Sequence, residues 1–279
     1  MTPVSFFVKG SVTGEFKEGI AVTAEAREIA NAFVEARRSG TSIARYPGER
    51  PADLATAYEI QDCALAVWNR EIGGWKVGKI NPPDDSRLGT NRLAGPAFSD
   101  LIFLAGPETR RFTTFSGGFA AAEAEFMLRL APQQGPLPCN ADEARSWVDE
   151  IRIGIEIAAS PYPGINADGP CVTISDHGNN AGLLLGPQVP KDKWSALNDI
   201  EVMLDIDGQT VGRDSTANML DGPFGAVRFL LGNLAGRGIV PRPGWWISSG
   251  AITGVHEIRP GDEVVARFEG VGTVSASIA

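Results

Sequence analysis

The chain has 279 residues and a mass of 29.6 kDa; 43% of its residues are hydrophobic and 21% charged. That composition excludes a disordered, collagen-like or coiled-coil chain, and the length suffices for one large domain or two. A net charge of −9 and a pI near 4.9 argue against a nucleic-acid ligand, which needs a basic face. No apolar run approaches the roughly 20 residues that span a bilayer. The N-terminal stretch lacks a charged segment followed by an apolar one, as a secretory signal would have. A cytoplasmic protein with no membrane or nucleic-acid partner is expected.

Residues 1–20 read as a short strand or arm. Thr23 caps a helix running to about Arg38, ended by Gly40, with Ile29, Ala30, Phe33 and Val34 as its apolar stripe. The short basic clusters Arg37-Arg38 and Arg110-Arg111 read as solvated helix end or loop rather than as a phosphate clamp. A second helix is expected from Asp53 to about Glu71, closed by Gly73-Gly74. Trp75–Ile80 then alternates like a strand. Ala121–Leu130 and Ile151–Ala159 read as strands, with a helix between them over Ala141–Glu150. Val202–Ile206 and Gln209–Arg213 flank Asp207-Gly208, a hairpin signal. Pro223 opens a helix carrying Phe224, Val227, Leu230, Leu231 and Leu234. Trp245–Ser249, Glu263–Phe268 and Val271–Ile278 are closing strands. The expected class is α+β: a small helical N-terminal part over 1–73, then a larger mixed domain, rich in antiparallel strands, over 74–279.

Three cysteines, Cys63, Cys139 and Cys171, form no metal or redox motif. With two histidines in the chain, His177 and His256, a metal site must lean on oxygen ligands. On a strand, Glu123 and Glu125 share a face, because side chains alternate. Across Ile151–Ala158 the isoleucines take one face and Glu156 the other, between Gly154 and Ala158, whose small size leaves room beside the carboxylate. Three such carboxylates could hold Mg²⁺ or Mn²⁺ with open positions for substrate and water. By itself the pattern fits a solvated strand face at least as well.

Several segments, taken in order, resemble the 2-oxopent-4-enoate hydratase / 4-oxalocrotonate decarboxylase family within the fumarylacetoacetate hydrolase superfamily. They are Ala57-Tyr58-Glu59-Ile60-Gln61, Gly73-Gly74-Trp75-Lys76-Val77-Gly78, Glu123-Ala124-Glu125, Ile155-Glu156-Ile157, Asp176 within Ile174–Gly182, Ser249-Gly250-Ala251-Ile252-Thr253, Pro260-Gly261-Asp262 and Gly270-Val271-Gly272. The match runs from about residue 23 to the C-terminus. The resemblance implies a fumarylacetoacetate hydrolase-like fold and an assembly of identical subunits, a homo-oligomer. It implies that Glu123, Glu125 and Glu156 bind Mg²⁺ or Mn²⁺, which chelates a small-molecule 2-oxo acid. Lys76 matches the family's active-site lysine and would stabilise enolate charge or relay a proton. Asp176 falls in a family motif, and the turn holding Ser249 and Thr253 borders the pocket by resemblance; backbone hydrogen bonding in a turn is the other reading of those two.

Three departures bear on proton handling. The family's Pro-Asp-Phe/Tyr-Gly segment corresponds to Gly95-Pro96-Ala97-Phe98-Ser99, with Ala97 where an aspartate would be; Asp84, Asp85 and Asp100 are the nearby substitutes. Asp-Asn-x-Ser becomes Asp176-His177-Gly178-Asn179, and Ser-Arg becomes Ser160-Pro161. His177 is then a candidate acid/base, since imidazole titrates near neutrality, or a buried structural histidine. The expected activity is metal-dependent hydration of a 2-hydroxydienoate in the catabolism of ring-cleaved aromatic compounds. The alternatives are decarboxylation of a 4-oxalocrotonate-type diacid, C–C hydrolysis of an acylpyruvate, and a binding protein that has lost turnover.

Overall fold

The computed structural model describes residues 23–132 and 135–279; the arm expected over 1–20 lies outside them. Helix α1 (Ala24–Ser39) begins where Thr23 accepts a hydrogen bond from the Ala26 N–H at 3.1 Å and ends at Gly40. Helix α2 (Leu54–Trp68) is capped by Asp53 and stops at Asn69, which is left-handed at φ 51°. It ends before Glu71, and Gly73-Gly74 does not close it. Those glycines belong to strand β1 (Ile72–Lys79), which pairs in parallel with β10 (Trp246–Ser248). The reason is a close approach: a Cβ on Gly74 would sit 2.0 Å from the Trp246 carbonyl oxygen.

The other elements follow in order: α3 (Asp84–Leu88), β2 (Arg92–Phe98), β3 (Ile102–Leu104), β4 (Arg110–Phe112), β5 (Phe119–Leu130), α4 (Ala141–Ala144), β6 (Val148–Ser160), α5 (Pro170–Ser175), β7 (Asn180–Gln188), β8 (Glu201–Ile206), β9 (Gln209–Ser215), α6 (Gly222–Gly236), β11 (His256–Glu257), β12 (Glu263–Phe268) and β13 (Gly272–Ile278). The helix expected over Ala141–Glu150 is α4 continued by a 3-10 turn at Arg145–Trp147. Its last three residues, 148–150, are taken into β6, where Val148 already pairs with Leu130 of β5. Strand β2 is not among the expected elements; it lies at the sheet edge, where Pro96 is tolerated.

One sheet has the order β2-β1-β10-β5-β6-β7-β3, with β11 also paired to β5; a second runs β4-β13-β12-β8-β9. The fold is a mixed helix and sheet structure, with N-terminal helices followed by a curled β-rich domain. The main core lies between the sheets. Phe126, Leu128, Ile151, Ile153, Ile155 and Ile157 from the first sheet meet Val202, Leu204, Val264, Ala266 and Phe268 from the second, and Leu230, Leu231 and Leu234 of α6. Alternation therefore sends the odd-numbered side chains of β5 and the even-numbered ones of β6 to the opposite face. Helices α1 and α2 share a second core with Tyr162, Ile165 and Val172. Among the described residues, no helix is long and apolar enough to cross a membrane.

The β1–β10 contact sets the first prediction. Gly74→Ala should destabilise the protein by several kcal/mol, because backbone rather than a yielding side chain blocks the new methyl group. Urea unfolding read by circular dichroism checks it.

Candidate metal centre

Strands β5 and β6 pair with Glu123 opposite Glu156 and Glu125 opposite Gly154. This register gathers the three carboxylates on one face. All three are buried, and a carboxylate oxygen from each lies within 4.8 Å of the others. Oε2 of Glu125 accepts hydrogen bonds from the Ser248 hydroxyl and, at 2.8 Å, from the Gly250 N–H. Oε1 of Glu156 accepts from Asn180 Nδ2 at 2.8 Å. Their second oxygens, Glu125 Oε1 and Glu156 Oε2, are buried without a hydrogen-bond partner. Bare buried carboxylate oxygens are costly, and an all-oxygen set of this kind is what a hard divalent cation takes. The residues therefore fit such an ion.

Among the described residues, Lys76 is the cationic side chain that pairs with this cluster. It projects from β1 with 4% exposure, its Nζ 3.5 Å from Glu156 Oε1 and 3.3 Å from Asn179 Oδ1. Burial alone would lower its pKa, but Glu156, Glu123 and Glu125 outweigh that and hold it above the ordinary lysine value. Burial, reinforced by neighbouring carboxylates, pushes Glu125 well above the usual carboxylate range. Glu156 is raised to about 7, chiefly by burial and by Glu123, against the opposing pull of Lys76 and Asn180.

The remaining residues singled out from sequence are dispersed. Asp176 is fully buried and held by Arg37, with Nε to Oδ1 at 2.5 Å and Nη2 to Oδ2 at 2.9 Å, and by the Ser160 hydroxyl at 2.6 Å. Burial would raise its pKa, but Arg37 and His177 hold it at about 2. His177 does not join the carboxylates. Its ring packs edge-on to Trp68 and Phe98, Nδ1 is 3.5 Å from Asp176 Oδ1, and burial pushes its pKa down. Ser249 turns its hydroxyl to the Phe126 N–H at 3.1 Å. Thr253 follows the turn that runs along β5 through the Ile252 N–H to Ala124 carbonyl bond, and its Oγ1 is buried without a partner. Of the substitutes for the missing aspartate, Asp84 pairs with Arg87, Asp100 pairs with Arg70, and Asp85 accepts from the Ser86 N–H. Ala97 is buried against Met127, Leu183 and Leu185.

Two participants were legible but missed. Arg37 is not a solvated helix end: it continues the α1 stripe one turn beyond Phe33, and it also donates to the Ala159 and Asn180 carbonyls at 2.9 and 3.1 Å. Ser248 alternates with the core residue Ile247, so it, rather than Ser249, faces the carboxylates. The cysteines are unpaired.

A family model for the C-terminal domain of fumarylacetoacetate (FAA) hydrolase matches residues 124–279, more than half of the chain. The chain belongs to the fumarylacetoacetate hydrolase family. It is 28% identical over 155 residues to 4-oxalocrotonate decarboxylase of Pseudomonas putida, covering 55% of this chain and 58% of that relative's length. It is 25% identical over 253 residues to 2-keto-4-pentenoate hydratase of Paraburkholderia xenovorans (strain LB400), covering 88% and 92%. A solved structure of 4-oxalocrotonate decarboxylase from Pseudomonas putida G7, complexed with magnesium and adipate, shares the fold with a TM-score of 0.77 at 22% identity, covering 94% of this family member and 100% of that chain.

Three outcomes follow from this electrostatic arrangement. Arg37→Leu leaves Asp176 charged, buried and uncompensated, and should cost about 3–5 kcal/mol of unfolding free energy, measured by urea denaturation. Because Glu156 is held near 7 without a cation, it is largely protonated below that pH, and a cation must displace the proton. Mn²⁺ affinity by titration calorimetry should therefore fall as pH is lowered from about 8 to about 6, with proton release on binding; Glu125→Gln should remove binding with little loss of stability.

Proposed function

We propose that the protein is a divalent-cation-dependent lyase acting on an unsaturated 2-oxo acid. The observation that carries this reading is the buried Glu123–Glu125–Glu156 set, with two bare oxygens and the Lys76 ammonium beside it. A bound Mg²⁺ or Mn²⁺ would supply Lewis acidity toward the carboxylate and 2-oxo oxygens of the substrate. Lys76 would hold a proton at Nζ and stabilise the negative charge that develops on the substrate oxygen. Ser248 and Gly250 would keep Glu125 oriented, and Asn180 would do the same for Glu156. Thr253 Oγ1, buried and unpartnered, would give a substrate carboxylate a donor.

Of the bond changes this site could serve, hydration of a 2-hydroxydienoate is supported by the nearly end-to-end similarity to 2-keto-4-pentenoate hydratase. Decarboxylation of a 4-oxalocrotonate-type diacid is the second reading, and the setting of Ala97 favours it. That position sits among Met127, Leu183 and Leu185, which offer nothing to activate a water molecule, and loss of carbon dioxide needs no such activation.

The test is a spectrophotometric assay with 2-hydroxypenta-2,4-dienoate and with 4-oxalocrotonate, each with Mg²⁺ and with EDTA. Metal-dependent loss of the dienoate, with a 4-hydroxy-2-oxo acid as product, is the hydratase result; carbon dioxide release from the diacid alone is the decarboxylase result. Silence on both substrates would remove the proposal. Lys76→Met should lower kcat by about 10²–10⁴-fold, the range for a lost proton-transfer group.

A further inference from the structure

The chain passes from α5 to β7 through His177, Gly178 and Asn179, all in the left-handed region, at φ 56°, 63° and 55°. Left-handed residues usually occur singly, and asparagine tolerates the conformation better than most. A run of three persists here because its surroundings hold it. On one side Asp176 is fixed by Arg37 and Ser160. On the other, the turn is pressed against β2 and β1. A Cβ on Gly95 would lie 2.2 Å from the His177 carbonyl oxygen, and one on Gly178 would lie 3.1 Å from Lys76 Cδ. The turn thus rests on the Lys76 stem and delivers Asn179 to its end.

Asn179 is 2% exposed and makes two side-chain hydrogen bonds. Its Oδ1 accepts from Lys76 Nζ at 3.3 Å, and its Nδ2 donates to Asn166 Oδ1 at 3.1 Å. The two partners fix the amide's orientation, because an ammonium can only donate. Glu156 Oε1 lies 3.5 Å from the same ammonium. Lys76 is therefore held between a neutral acceptor and the carboxylates. An ammonium and a divalent cation are drawn to the same three carboxylates. Without the acceptor, the flexible lysine stem would let Nζ settle on the bare oxygens of Glu125 and Glu156.

We propose that Asn179, pinned by Asn166, is a positioning residue that holds the Lys76 ammonium, paired with Glu156 Oε1, off the bare oxygens Glu125 Oε1 and Glu156 Oε2 and so keeps the cation's place open. This inference rests on the proposed role of Glu123, Glu125 and Glu156 as cation ligands. It extends the site to the loop between β6 and α5, which carries Asn166.

The test is Mn²⁺ affinity, by titration calorimetry, of wild type, Asn179→Ala, Lys76→Met and the double variant. Asn179→Ala should weaken binding about tenfold, the scale of one hydrogen bond to a charged group. In the Lys76→Met background the same substitution should change affinity by less than about twofold, as expected once the interaction is absent. An equal loss in both backgrounds would overturn the proposal, since a merely structural asparagine behaves that way; so would unchanged affinity in Asn179→Ala. Asn166→Ala, on an exposed position, gives a second variant that leaves the buried turn intact, and it should show a smaller loss that also disappears with Lys76→Met. Wild type that binds Mn²⁺ while Glu125→Gln does not, with Asn179→Ala silent, would sink the positioning role alone. Wild type that binds no Mn²⁺ would overturn the cation reading, and this inference with it.

Discussion

Three buried carboxylates face one ammonium, and the surrounding structure is arranged around that excess of negative charge. Glu123, Glu125 and Glu156 are brought together by the antiparallel register of β5 and β6, whose other face is committed to the core. The apolar side of the two strands therefore fixes the polar side: a slip of one residue would exchange the isoleucines for the carboxylates. Hydrogen bonds from Ser248, Gly250 and Asn180 satisfy part of the set. Lys76 neutralises part of the rest. What remains is an electrostatic demand that a divalent cation would meet, and the upward shifts at Glu125 and Glu156 are the response of the site without one.

A second charged group, Arg37 with Asp176, couples the N-terminal helices to this centre. Arg37 comes from α1 and binds Asp176 together with the backbone carbonyls of Ala159 and Asn180, so it links the end of β6, the end of α5 and the start of β7. Breaking a fully buried pair leaves a charge with no solvent to replace its partner. The pair therefore ties α1 to the segment that presents Asn179 and Asn180 to the site. Helix α2 contributes in parallel. Gln61 donates to the carbonyls of Ala94 and Ile174, and the Tyr58 hydroxyl accepts from the Ala94 N–H. The helical part thus acts as a brace on β2 and on the turn that follows α5.

Close backbone approaches do the remaining positioning. Gly74 lets β1 lie against β10, which sets Lys76 opposite Ser248 in the register. Gly95 lets β2 accept the His177–Asn179 turn. Both glycines stand where a methyl group would meet backbone, so each shapes the geometry around Lys76.

The sequence alone determined the local pattern. The 3.6-residue stripe placed α1, the Asp-Gly pair placed the β8–β9 turn, and strict alternation put Glu123 and Glu125 on one face and Glu156 opposite its isoleucines. These are short-range consequences of backbone periodicity and need no knowledge of the fold. Where competing signals met, local reading failed. Gly73-Gly74 looked like a helix stop because glycine serves both at helix ends and at close strand contacts, and only the neighbouring β10 distinguishes them. Residues 148–150 looked helical until pairing with β5 claimed them. Tertiary structure alone decided that Glu156 lies across from Glu123, that Arg37 is buried against Asp176, that Ser248 rather than Ser249 serves the carboxylates, and that His177 packs among aromatic rings away from them. Each of these depends on contacts between segments far apart in the chain, which periodicity along the sequence does not encode.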